Sequence, residues 1–185
     1  LLAWQWLDGR LVMTNMSALA AGGAGALASA DLDSDGDLDL FVGGAVVPGR
    51  YPESVAARIL RTRGDQLEPD LENTRAVAGA GLVNGAVWSD LDADGWPELI
   101  LACEWGPIRV YRNQGGRLTE ITAALGLERW TGWWKGVTTG DLDGDGRLDI
   151  VASNWGLNSP YQATEAAPLR WYYGDLGERG VLDLI

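Results

Sequence analysis

The sequence predicts an all-β chain in which one small unit of antiparallel strands recurs. Three observations carry this. An acidic nonapeptide occurs three times, a nearly continuous apolar run follows each copy, and glycine-marked hairpin signals punctuate the remainder. Glycine supplies 26 of the 185 residues, roughly double its usual ~7% share, as many tight turns between short strands require. The nonapeptides begin 59 and 51 residues apart. A repeat of that length built from several short strands implies radial or linear stacking of small sheets.

Taken in order, "WQWLDGRLVM" reads as a hairpin turning at Gly9. "GALASA" is a strand of small residues, and such strands lie where backbones approach closely. The first acidic copy, "DLDSDGDLD" (Asp31 to Asp39), leads into "LDLFVGG", and "ILRTRGDQLEPD" turns at Gly64. The pattern returns as "GAVWS", "DLDADGWPE" (Asp90 to Glu98), "ELILACEW" and "VYRNQGGRLTEIT", with Gly115 and Gly116 at the turn. It returns again as "GVTTG", "DLDGDGRLD" (Asp141 to Asp149) and "LDIVASN". A short apolar run between turn signals fits a strand buried on both faces. A degenerate copy, "DLGERGVLD" (Asp175 to Asp183), puts Gly177 and Arg179 where the others have acids. No segment has convincing helical periodicity. "ESVAARILRTR" reads as a loop entering a strand, and "LTEITAALGLERW" holds one helical turn at most.

The totals exclude several functions. A net charge of −12 argues against nucleic acid and anionic membranes, which need clustered Lys and Arg. No apolar run reaches the ~18 residues of a membrane span, so membrane insertion is not expected. The chain has no histidine and one cysteine. Zinc sites of Cys/His type, histidine-based triads and intrachain disulfides are therefore excluded. Cys103 lies in an apolar run and reads as a small buried side chain. The first residues have neither an initiating Met nor a signal-peptide layout, so the chain reads as a piece of a longer protein.

The nonapeptide carries the chemistry. Asp141, Asp143 and Asp145 alternate, so a loop curling round a point can aim all three inward. Gly146 permits the sharp turn, the carbonyl of Arg147 can supply an oxygen, and Asp149 closes the ring. The variability of this seventh position, Asp37, Trp96 or Arg147, suits a main-chain role. Such a set of hard oxygens suits Ca²⁺, with its 6–8 oxygen ligands, better than Mg²⁺. Softer metals would require imidazole or thiolate. An EF-hand needs Glu at position twelve, where Val42, Leu101 and Ala152 stand. In the second loop Pro97 removes an N–H and Glu98 is longer than Asp. In the degenerate loop Arg179 would itself replace the cation. Up to three Ca²⁺ ions are expected, and three would halve the net charge of −12.

The D-x-D-x-D-G-x-x-D loop after a small-residue strand resembles the FG-GAP/VCBS repeats of integrin-α-like β-propellers. "GAVWSDLDADGWPELILACEWGPIRVYRNQGGRLTEIT" and "TGWWKGVTTGDLDGDGRLDIVASNWGLNSPY" are similar to large bacterial secreted VCBS-repeat proteins of the ASPIC/UnbV-associated type. The resemblance implies a partial β-propeller with blades of four antiparallel strands, the calcium loop joining the first two. It implies the end of one blade at 1–20, blades at 21–78, 79–130 and 131–172, and the start of another at 173–185. The implied ligands are Asp31, Asp33, Asp35, Asp37 (backbone) and Asp39; then Asp90, Asp92, Asp94, Trp96 (backbone) and Glu98; then Asp141, Asp143, Asp145, Arg147 (backbone) and Asp149. Such a fragment cannot close a ring alone. It expects the remainder of the parent propeller, or self-association, to cover its edges.

Ten tryptophans read either as packing between blades or as a sugar-stacking platform. Trp88, Trp105, Trp134 and Trp155 flank the repeat strands, "RWTGWWKG" (Arg129 to Gly136) is the best candidate platform, and "NWGLNSPY", with Asn154, Asn158 and Tyr161, is a polar loop. The expected function is a calcium-binding, non-catalytic module that takes a protein or polysaccharide ligand. A structural spacer is a second possibility. The alternative from another class is part of a propeller-type polysaccharide lyase or hydrolase, with Lys135 or Tyr161 as base. Weak calcium binding, at roughly 10⁻⁴–10⁻³ M in extracellular modules, places the protein outside the cell, in the periplasm or on the cell surface.

Overall fold

The computed structural model describes residues 2–15, 23–64, 66–156 and 159–185. Asn158 of the expected polar loop lies outside them. Nearly all regular structure is β, in antiparallel sheets. β1 (Leu2–Leu7) and β2 (Arg10–Asn15) form a hairpin. Its turn residues, Asp8 and Gly9, both have positive φ, as a two-residue turn matching strand twist requires. β3 (Ala24–Ala30), β4 (Asp39–Gly44), β5 (Arg58–Arg63) and β6 (Gln66–Pro69) form a four-stranded sheet in sequence order.

One element escaped the sequence reading. α1 (Leu71–Val77) follows β6. Asp70 caps it by accepting the Asn73 N–H at 3.0 Å, with Glu72 in the first turn and Arg75 in the last. At seven residues it is too short to show a periodic face, and packing rather than propensity holds it. Val77 is fully buried, and Thr74 Oγ1 accepts the N–H of Ile59 at 3.0 Å.

The second unit comprises β7 (Leu82–Ser89), β8 (Glu98–Gly106), β9 (Ile108–Gln114) and β10 (Arg117–Glu120), paired consecutively. The segment after β10 makes a single turn, with Leu125 N–H bonded to the Ile121 carbonyl. β11 (Gly132–Gly140) and β12 (Asp149–Asn154) follow as a pair, and β13 (Tyr173–Gly174) pairs with β14 (Asp183–Leu184). The far end of β8 also pairs with β11, Glu104 opposite Trp133, which joins the second and third units in one sheet. The described strands form no closed ring.

β8 shows why its sequence is continuously apolar. Leu99, Leu101 and Cys103 enter a core shared with Leu32, Phe41, Ile59 and Val83. Ile100 and Ala102 enter a second core with Trp134, Val137 and Ile150. Period-two side chains thus bury both faces. The small-residue strands pack backbone against backbone. A Cβ on Gly25 would lie 2.6 Å from the Val83 carbonyl oxygen, and one on Gly85 would lie 2.9 Å from Gly136 Cα. β12 differs from β4 and β8: Val151 is 39% exposed, and among the described residues β12 pairs only with β11.

Candidate metal centre

Each acidic loop is built by its first aspartate. Asp31 accepts the N–H of Asp35 at 3.1 Å and of Gly36 at 3.0 Å. Asp90 accepts those of Asp94 and Gly95, both at 3.0 Å. Asp141 accepts those of Gly144, Asp145 and Gly146 at 2.7, 3.1 and 2.9 Å. A short carboxylate bonding ahead to its own backbone stabilises a tight turn. The turn takes positive φ at position six (Gly36, Gly95, Gly146) and also at position four (Ser34, Ala93, Gly144). The second requirement was hidden in the sequence, because only Gly144 advertises it. The degenerate loop has the same frame: Asp175 accepts the N–H groups of Arg179 and Gly180, and Glu178 and Gly180 have positive φ. There Arg179 Nη2 lies 2.6 Å from Asp183 Oδ1, the placement expected of an internal cation.

Three carboxylate groups converge: Asp31, Asp33 and Asp35; Asp90, Asp92 and Asp94; Asp141, Asp143 and Asp149. Within each, the oxygens lie within 4.8 Å of one another. Like charges at that spacing repel, and a bound cation would relieve the repulsion. Asp33 Oδ1 is buried and has no hydrogen-bond partner among the described residues, while its Oδ2 lies 3.0 Å from Arg61 Nη1. An orphaned carboxylate oxygen inside an all-oxygen loop fits a hard divalent cation. When bound, such an ion would supply charge compensation that holds the loop closed.

The remaining expected ligands are placed differently. Asp39 and Glu98, both 2% exposed, stand outside the three groups. Asp39 accepts the N–H of Leu32 and of Thr62, and Glu98 accepts those of Leu91 and Asn113. The ninth position therefore ties its loop to the next strand but one. Asp149 accepts the Leu142 N–H in the same way and also joins its cluster. Asp145 stays outside the third group and accepts the Arg147 N–H at 2.8 Å. At position seven, Asp37 and Trp96 donate their N–H groups to Asp35 and Asp94.

Basic residues surround the loops unequally. Arg61 reaches Asp33, Asp39 and Asp70 at 3.0, 2.9 and 2.9 Å, and Arg63 reaches Asp35 at 2.9 Å. Arg112 reaches Asp92 at 3.1 Å. Among the described residues no Lys or Arg pairs with the third loop. The strand registers pair Leu40 with Leu60 and Leu99 with Tyr111, so Arg61 and Arg112 hold equivalent positions. The sequence matches the two as the Arg of a repeated R-x-x-G hairpin signal, ending at Gly64 and Gly115, but gives no sign that they reach the acidic loops.

Arg61 also donates to the Gly116 carbonyl at 2.6 Å, and Asn73 donates to that carbonyl and to Asp70. The hairpin tip of the second unit is thereby held against the first acidic loop. Burial alone would raise the Asp70 carboxyl, but bonds from the Asn73 N–H, Arg61 and the Asn73 amide together hold it below its ordinary value. Glu98 has the opposite balance: burial lifts it, and its two N–H donors do not fully offset this. Cys103 is fully buried, as expected, and burial raises its thiol to about 11.

No curated protein matches this chain. Residues 90–152 match the family model of the FG-GAP-like repeat. The matched stretch starts at the second acidic loop and runs through the third into β12, so it contains two of the three carboxylate clusters. Antiparallel strands carrying regularly spaced acidic hairpin loops thus have a family description, and the chain carries an FG-GAP-like repeat over residues 90–152.

Proposed function

We propose that the chain is a calcium-stabilised, non-catalytic repeat module that works outside the cytoplasm and binds a protein or carbohydrate partner. One observation carries the calcium reading: Asp33, whose carboxylate joins a converging acidic group, keeps a buried Oδ1 with no hydrogen-bond partner among the described residues. Calcium rather than magnesium follows from flexible loops offering many charged oxygens. The ligands are proposed to come from Asp31, Asp33, Asp35, Asp90, Asp92, Asp94, Asp141, Asp143 and Asp149. Asp39, Glu98 and Asp145 are proposed to close their loops, and the carbonyls of Asp37, Trp96 and Arg147 to complete the sets.

A binding role is favoured over catalysis because each candidate base, though partly open to solvent, lies against an aromatic ring of the kind that stacks on ligands. Lys135 lies over the Trp133 ring at 4.1 Å, and Tyr161 meets Trp171 edge-on. The exposed face of β12 supports further FG-GAP repeats, or a second copy, as its cover.

Thermal unfolding with calcium and with chelator tests the calcium reading, alongside ion stoichiometry by calorimetry. We expect a higher midpoint in calcium and one ion fewer bound by Asp143→Ala. An unchanged midpoint, or unchanged stoichiometry in the variant, overturns it.

A further inference from the structure

Away from the acidic loops, where β8 pairs with both β7 and β11, aromatic rings gather round one carboxylate. Trp105 and Trp133 have ring centroids 5.0 Å apart, Trp105 and Trp171 5.4 Å, and Trp133 and Trp155 4.2 Å. All four indoles are half-buried, so part of each remains open to solvent. Beside them Glu104 accepts from the Tyr51 hydroxyl and from Asn84 Nδ2 at 3.1 Å, with Lys135 Nζ 3.7 Å away. Tyr51 in turn accepts from Trp105 Nε1. Polar groups from four separate segments converge there: the β4–β5 connection, β7, β8 and β11.

Two further features distinguish this cluster from ordinary packing. Trp105 has φ of +60°, an outlier for a bulky residue that the surrounding structure must enforce. Such strain concentrates at functional sites. Among the described residues the indole N–H groups of Trp133 and Trp171 are without partners, although buried Trp N–H groups usually find one.

We propose that this centre binds a neutral pyranoside, so that the carbohydrate partner suggested above docks here; the inference rests on the binding reading of the module. The chemistry selects that class. Partly exposed indoles leave ring surface for sugar C–H groups, while Glu104 and Lys135, side by side, offer an acceptor and a donor to neighbouring hydroxyls. The rings are mutually tilted by 36°, 55° and 79°, which leaves no parallel slot for a flat aromatic ligand. The place for a cationic ligand over Trp133 is taken by Lys135. Acidic sugars would meet a chain of net charge −12.

The test is calorimetric titration of the full chain, in saturating calcium, with gluco-, manno-, galacto- and xylo-oligosaccharides and with uronic-acid oligomers. We expect the wild type to bind at least one neutral series, and Glu104→Gln and Trp133→Phe each to weaken it at least tenfold. Both variants should keep the wild-type calcium stoichiometry and the calcium-dependent rise in unfolding midpoint, which separates loss of this site from loss of the metal loops. Three results would each overturn the proposal: no neutral sugar bound at millimolar concentration, uronic acids bound instead, or undiminished binding in both variants. None of the three would touch the calcium reading.

Discussion

Arg61 Nη1 lies 3.0 Å from Asp33 Oδ2, while the other oxygen of Asp33 is buried without a hydrogen-bond partner among the described residues. The same guanidinium pairs with Asp39 and Asp70, and its side chain is 11% exposed. Arg61→Met should therefore cost about 3–5 kcal/mol, because it strands two largely buried carboxylates. Arg112→Met breaks only a solvent-exposed pair and should cost less than ~1 kcal/mol. Urea unfolding of both variants in saturating calcium makes the comparison, and equal costs would refute it.

The first and third positions of a loop have separable roles. Asp141 organises the turn through three N–H bonds, whereas among the described residues the only backbone bond to Asp143 is from Asp145 N–H. Asp143→Ala should lose an ion and leave stability in chelator almost unchanged. Asp141→Ala should lose the ion and also weaken the chelated protein by about 1–2 kcal/mol, a discounted value for the bonds removed. Ion stoichiometry and chelated unfolding read the two effects independently.

Asp70 gives the fold an acid-sensitive contact. Its folded pKa is lowered, so the unfolded chain binds the proton more readily. The associated stability is present above the ordinary value of about 3.9 and is lost as pH falls through the folded value. Asn is also a good N-cap, so Asp70→Asn keeps the cap and removes the titration. The variant's unfolding midpoint should fall less steeply with acid than that of the wild type. Parallel acid slopes would exclude this role.

Gly85 faces Gly136 across the gap between β7 and β11. Since backbone cannot move aside as a flexible side chain can, Gly85→Ala should destabilise by about 1–3 kcal/mol. A chemical-denaturation curve indistinguishable from wild type would mean the strands can separate without penalty.

Cys103 should react with thiol reagents only on unfolding, being fully buried with its thiol raised to about 11 by that burial. Labelling of the native protein at the rate of a free thiol would contradict its placement in the core.

The repeat, the strands and the acidic loops were legible in the chain because their signals are local. A two-residue glycine turn, a two-sided apolar strand and an aspartate bonding ahead to its own backbone each involve only a few neighbouring residues. The β8 reading held for that reason: the Leu99–Cys103 run has to be apolar throughout when Leu101 and Ile100 enter different cores. α1 was missed because seven residues contain too little periodicity, although Asp70 and Glu72 mark its start.

Tertiary structure alone decided what stands beside each carboxylate. The sequence set at least four acids in every complete loop, but it did not determine that Arg61 would cross from β5 to Asp33 while the third loop has no such cation among the described residues. Nor did it bring Tyr51, Glu104 and Lys135, more than 30 positions apart, to one aromatic cluster. Turn geometry is settled by torsions within a few bonds. Charge compensation and side-chain convergence depend on which strands pack together, and that is a property of the whole chain.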